Sequence, residues 1–354
     1  MNPFNFNSEK LNAELQELLA SLSQGVEAMQ GHENLTPGAS EKECVFQQDK
    51  VRLYRYSAST EKLECAPLLI VYALVNRPYM TDLQDGRSLV QGLLETGVDV
   101  YLVDWGYPDR ADVDTSLHDY INIYLDNCVT HICEEHGIDK LNLLGICQGG
   151  VFSLCYTALR QERIKNLVTT VTPVDFHTDD DLLSHLVRHI DIDLCVDTFG
   201  NIPGSFLNTL FLSLKPYRLM GQKYVDMLDI LGDPDRFENF IRMEKWINDC
   251  PDQAGQAFRE FVTQCYQGNR LVKGSLEIGS ETVDLEDIDI PVLNIFARDD
   301  HLVPPDSSKA LAGCVSSKDY SEIEFPGGHI GIYVSSKSRE MLPPAISQWL
   351  LERK

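Results

Sequence analysis

The chain has 354 residues, 43% of them hydrophobic and 24% charged, enough apolar content for one sizeable buried core. Its 54 acidic and 30 basic residues leave a formal charge of −24, which argues against nucleic acid or an anionic membrane surface as partner. No apolar run approaches the roughly 20 residues of a membrane span, and the start, MNPFNFNSEK, lacks the basic-then-apolar order of a signal peptide. Ten cysteines are scattered with no Cys-x-x-Cys and no metal-type cluster, which predicts reduced thiols in a cytoplasm and no metal site.

In chain order, residues 1–40 read as an N-terminal helix and linker. Ser8 is placed to cap a helix reaching about Gln30, with Leu11, Leu15, Leu18, Leu22, Val26 and Met29 at 3–4 spacing. Such a stripe either packs on its own domain or docks a partner, and nothing in it chooses. Pro37 and Gly38 mark the linker. Residues 50–56 (KVRLYRY) alternate like an edge strand. Residues 68–74 (LLIVYAL) and 98–105 (VDVYLVDW) are continuous β-rich runs, as buried strands of parallel sheets are. Helix-like stretches, 87–96 and 117–136, follow them in turn.

Residues 141–150 (LNLLGICQGG) organise the rest. An apolar run enters the tight turn Gly145-Ile146-Cys147-Gln148-Gly149, with Gly150 and a helix-like stretch, 151–161, behind it. This is the strand, nucleophile elbow and helix of an α/β-hydrolase, with cysteine in place of the usual serine. The strained elbow needs small neighbours, which Gly145 and Gly149 supply, while Gly150 lets the helix approach the sheet. The sulfur then sits above a helix N-terminus, where dipole and free N–H groups favour a thiolate. A further strand, 164–174, continues a β-α-β-α order that predicts a mainly parallel sheet with helices on both faces. Such sheets carry their chemistry at the carboxyl ends of the strands.

Residues 41–175 are therefore the first part of the core. Residues 176–287 break the rhythm, being helix-rich with scattered aromatic and basic residues, among them Lys223, Arg242, Arg259 and Arg270. The fold commonly accepts an insertion here, and we expect a cap over the active site. Strands return at 291–296 (PVLNIF) and 321–325 (SEIEF), so 288–354 complete the core. A terminal helix at 341–351 closes the chain, with Pro343 and Pro344 near its first turn.

The fold demands the order nucleophile, acid, histidine. Asp299, Asp300 and His301 follow one returning strand; Gly327, Gly328 and His329 follow the other. His329 is the expected base, taking the thiol proton and later protonating a leaving group. His301 is its rival but directly follows the acid. Asp300 is favoured by position over Asp299 to hold the imidazole, with Asp175 and Asp104 at other strand ends as outsiders. Of two oxyanion donors, one is expected from the backbone N–H of Gln148, the other from Val75 or Asn76 after strand 68–74.

A thioester stays activated towards acyl transfer, so a cysteine nucleophile tilts the chemistry towards transfer rather than hydrolysis. A cysteine esterase or lactone hydrolase is the alternative, and a non-enzymatic binding protein of the same fold is the weakest case.

With these residues in view, the chain resembles the catalytic subunit of class III polyhydroxyalkanoate synthases. The matching segments are residues 69–80 (LIVYALVNRPYM), 104–108 (DWGYP), 145–150 (GICQGG), 299–304 (DDHLVP) and 327–330 (GGHI), spanning roughly residues 65–335. The resemblance implies polymerisation of (R)-3-hydroxyacyl-CoA, chiefly 3-hydroxybutyryl-CoA, into polyester with release of CoA and no cofactor. It implies Cys147 as acyl carrier, His329 as base and Asp300 as third member, this aspartate also being a candidate to activate the 3-hydroxyl of the incoming unit. It further implies a homodimer, a cap that opens, an accessory second subunit and a home on polymer granules. The cations for the CoA phosphates are expected among the basic residues of the cap.

Overall fold

The computed structural model describes residues 38–57 and 63–354. The expected helix of residues 8–30 lies outside the described residues. Among the described residues eight strands form one sheet: β1 (Lys42–Gln48), β2 (Val51–Tyr56), β3 (Leu68–Val71), β4 (Val100–Asp104), β5 (Leu141–Ile146), β6 (Ile164–Thr170), β7 (Val292–Ala297) and β8 (Tyr320–Phe325). Their spatial order is β1-β2-β4-β3-β5-β6-β7-β8. The pairs β1–β2 and β2–β4 are antiparallel; every pair from β4 to β8 is parallel. The expected mainly parallel sheet is thus present.

Burial explains why the inner strands are apolar throughout. All residues of β3, β4, β5 and β7 are buried, because helices cover both faces of this part of the sheet. Each aliphatic side chain removed from water there contributes about 1.5–3 kcal/mol. The β2 alternation has a different cause from the one expected. This strand is not the edge: β1 lies outside it, exposed at Lys42, Glu43 and Cys44 and polar at Gln47 and Gln48. A charged, irregular edge strand resists pairing with other chains, and for the same reason it carries little apolar signal.

Helices Leu89–Glu95, Asp126–His136 and Gln148–Arg160 lie between the strands as expected, the second preceded by a π-helical turn, Asp119–Leu125. The last helix departs from expectation. It runs Ser336–Leu351 and starts where Ser335 caps the Ser338 N–H, so Pro343 and Pro344 lie inside it. Pro343 packs on Gly92, where a Cβ would lie 2.5 Å from its ring.

Between β6 and β7 the chain is helical, with one small hairpin, Leu276–Ile278 against Glu281–Val283. Two compact units divide here. Residues 208–248 belong to one, and 38–207 with 249–354 form the other, which holds the whole sheet. All ten cysteines are free thiols. Among the described residues no helix is long and apolar enough to cross a membrane.

Candidate active site

Cys147 stands where β5 turns into helix Gln148–Arg160, with φ 55° and ψ −124°. Only close-packed surroundings hold a non-glycine residue there. A Cβ on Gly145 would meet the Gly150 Cα at 2.5 Å, and one on Gly149 the Val71 carbonyl oxygen at 2.2 Å. A Cβ on Gly150 would reach 1.8 Å from the Thr172 Oγ1. The three glycines therefore let strand, turn and helix occupy one space. The Cys147 N–H donates to the Thr170 carbonyl at 2.9 Å, fixing the turn to the next strand. The first N–H groups of the helix, that of Gln148 among them, have no acceptor within it.

Two other loops meet at this end of the sheet. After β7 and β8 the chain is joined by backbone bonds from Arg298 to Phe325 (2.9 Å) and Asp299 to Gly327 (2.8 Å). These bonds bring His329 against Asp300: Nδ1 and Oδ2 are 2.6 Å apart. The other Asp300 oxygen accepts from the N–H groups of Leu302 (2.8 Å) and Val303 (3.0 Å). The Asp300 side chain is fully buried, whereas that of Asp299 is 62% exposed and pairs with Arg298. Cys147 is near enough to act on the charge of the His329 ring. Burial presses the imidazole towards neutrality, but the Asp300 charge and the Cys147 sulfur outweigh it and raise its pKa to about 10. The imidazolium is the form this pocket favours.

The remaining carboxylates are engaged elsewhere. Asp104 forms a buried ion pair with Arg77 at 2.7 Å, and Arg77 also donates to the Gly106 carbonyl and stacks 4.1 Å over Tyr107. Asp175 accepts from the His177 N–H and from Asn269, both at 2.8 Å.

The loop after β3 carries the candidate second oxyanion donor. The Gln148 side chain accepts from the Leu74 N–H at 3.0 Å, and Gln253 donates to the Leu74 carbonyl at 3.0 Å. Asn76 sits in the left-handed region at φ 59°, and its N–H is taken by the Cys250 sulfur. Of the two expected donors, Val75 and Asn76, only Asn76 is thus committed to another acceptor. Gln253 and Cys250 escaped sequence reasoning, since a single glutamine or thiol in a helix-rich stretch carries no motif.

Comparison with known proteins then places the chain. The profile of the alpha/beta hydrolase fold matches residues 66–336. A profile described as the N-terminus of poly-beta-hydroxybutyrate polymerase (PhaC) matches residues 6–93. The poly(3-hydroxyalkanoate) polymerase subunit PhaC of Allochromatium vinosum is 57% identical over the full length of both chains. That of Thiocystis violacea is 54% identical, also over both full lengths. The chain belongs to this polymerase family. As a poly(3-hydroxyalkanoate) polymerase catalytic subunit it is an acyltransferase that polymerises hydroxyalkanoates on an α/β-hydrolase fold. Solved structures support the fold alone. A monoglyceride lipase of Saccharomyces cerevisiae has a TM-score of 0.54 at 14% identity, covering 91% of this chain and 97% of its own. A monoacylglycerol lipase of Paleococcus ferrophilus has a TM-score of 0.51 at 19% identity, covering 85% and 99%. The elbow of the polymerase thus sits on a scaffold shared with lipases.

Proposed function

We propose that the polymerase works through an acyl-cysteine on Cys147, with His329 and Asp300 as its proton relay. The observation that carries this is the buried 2.6 Å pair of His329 and Asp300, beside a cysteine on a strained elbow whose sulfur acts on the imidazole charge. The substrate is an (R)-3-hydroxyacyl-CoA, chiefly 3-hydroxybutyryl-CoA. The Cys147 thiolate attacks the thioester carbonyl, and the oxyanion is held by the N–H groups of Gln148 and Val75. Collapse breaks the carbon–sulfur bond to CoA, and the departing thiolate takes the proton of the His329 imidazolium. The hydroxyl of another hydroxyacyl unit then attacks the acyl-cysteine and gives its proton to the neutral imidazole, and the Cys147 thiolate is released. Asp300 holds the ring in one tautomer and stabilises its cation. Protons and charges balance over the cycle, and no cofactor enters it.

Resemblance to the class III subunit supports the remainder: a homodimer, an accessory second subunit and work at the surface of polymer granules in the cytoplasm. Residues 176–287 act as a cap that keeps water from the acyl-cysteine and moves to admit substrate.

The test is CoA release from 3-hydroxybutyryl-CoA with product analysis. The unaltered enzyme is expected to release CoA and turn the solution turbid with polyester; Cys147→Ala is expected to release none. Free 3-hydroxybutyrate without polymer is the outcome of a cysteine hydrolase and overturns the proposal.

A further inference from the structure

The proposed cycle leaves the 3-hydroxyl of the acyl unit without a named contact. Asp300 is poorly disposed to supply one. One of its oxygens faces His329, the other accepts two backbone N–H groups, and its side chain has no exposed surface. A hydroxyl entering this site must find its partner among other groups near Cys147.

Two such groups stand there. Tyr72 is the first residue past β3, and its backbone abuts the start of the nucleophile helix, 2.6 Å from where a Gly149 Cβ would lie. Its carbonyl accepts from the Trp105 indole at 2.9 Å, which fixes the residue in place. Tyr333 lies one turn beyond His329, its ring edge-on to the imidazole with centroids 6.5 Å apart. The two tyrosine rings also meet edge-on, at 6.3 Å and 84°. Tyr72 is 3% and Tyr333 2% exposed, so the two phenols are enclosed side by side.

Two neighbouring phenols carry two O–H donors and several lone pairs, and a bond between them would use only one of the protons. Phenylalanine at both positions would fill the same space without burying polar atoms, a burial that is costly unless it is answered. Burial also raises the pKa of both phenols, with the charge of Cys147 adding to it. Neither tyrosine ionises in the working range, so both remain neutral donors and acceptors and do not compete with His329 as bases.

The geometry points to Tyr72 as the residue that recognises the 3-hydroxyl of the acyl unit at Cys147, with Tyr333 positioning the Tyr72 hydroxyl. The pair bridges the oxyanion loop and the histidine loop, the two segments that flank the thioester carbon. It distinguishes a 3-hydroxyacyl group from a plain acyl group of the same length, because the latter leaves a buried hydroxyl unanswered. This rests on the acyl-cysteine of the proposed function.

The experiment compares acylation of the full chain by (R)-3-hydroxybutyryl-CoA and by butyryl-CoA, read as first-turnover CoA release and as the intact-mass adduct. The quantity of interest is the preference for the hydroxy substrate. Tyr72→Phe is expected to reduce that preference about tenfold or more; Tyr333→Phe changes it in the same direction by less. Thermal midpoints of both variants establish that they fold. Equal slowing with both substrates would assign Tyr72 a structural role and overturn the inference, as would an unchanged preference. Absence of any adduct on Cys147 in the unaltered enzyme would overturn the acyl-cysteine itself. An adduct with unchanged preference in Tyr72→Phe would overturn only the role of the tyrosines.

Discussion

His329 is where three opposing influences are resolved. Burial alone would lower its pKa, but the Asp300 carboxylate and Cys147 raise it to about 10. A histidine whose folded pKa exceeds its unfolded value of about 6.5 contributes stability that is complete below that pH. The contribution is lost as pH rises towards the folded pKa. The thermal midpoint is therefore expected to fall between pH 7 and 10, and His329→Gln, with no ring to titrate, to fall less over the same range. Identical pH profiles for the two proteins would remove the basis for a charged imidazole. Asp300→Asn keeps the shape but loses the anion, and CoA release should drop about a hundredfold or more. Asp299→Asn, altering a carboxylate that is 62% exposed, should stay close to the unaltered rate in the same assay.

Among the elements, the nucleophile helix owes its position to what its neighbours lack. Gly149 touches the backbone of Val71 and Tyr72, and Gly150 touches Thr172. Thr172 reaches that place because Val171 adopts φ 45°, a conformation that a β-branched residue rarely accepts. Gly149→Ala puts a methyl 2.2 Å from the Val71 carbonyl oxygen, so strand or helix must shift. The expected loss is about 3 kcal/mol, read from the urea midpoint. Gly313→Ala, whose added Cβ meets nothing within 4 Å, is the matching control and should unfold near the original midpoint. The β3 loop depends on contacts distant in the chain. Gln148 and Gln253 hold Leu74 from two sides, and the Arg77–Asp104 ion pair lies beneath the loop's exit. Asp249, where the chain re-enters the sheet-bearing unit, accepts from Tyr79 at 3.0 Å and Tyr107 at 2.7 Å, tying that point to the same loop.

For the molecule as a whole, charge is the dominant long-range property. The net −24 opposes an anionic CoA ester. Several basic residues expected to answer the phosphates are already in ion pairs: Lys223 with Glu244, Arg242 with Glu238, Arg259 with Asp193 and Asp197, and Arg270 with Glu277. Screening shortens from about 30 Å at 0.01 M salt to about 8 Å at 0.15 M. The KM for acyl-CoA is accordingly expected to fall severalfold over that range at constant pH, measured by CoA release. A KM that rises steeply with salt would instead show that a local cationic site outweighs the overall charge.

Local stereochemistry was legible in one dimension. The sequence by itself determined the buried strands, because a strand covered on both faces must be apolar at every position. It determined the elbow, because a non-glycine residue in that turn needs glycine on either side. It also marked the strand ends that carry Cys147, Asp300 and His329, since chain order and strand termini are properties of the string. What depends on approach between distant segments was settled only by the tertiary structure. The edge strand β1 has too little burial to leave an apolar pattern. The choice between Asp299 and Asp300 turned on which carboxylate the backbone bonds between two loops aim at His329. The commitment of the Asn76 N–H to Cys250, and the meeting of Tyr72 with Tyr333 across 261 positions of chain, follow from packing that no spacing along the sequence encodes.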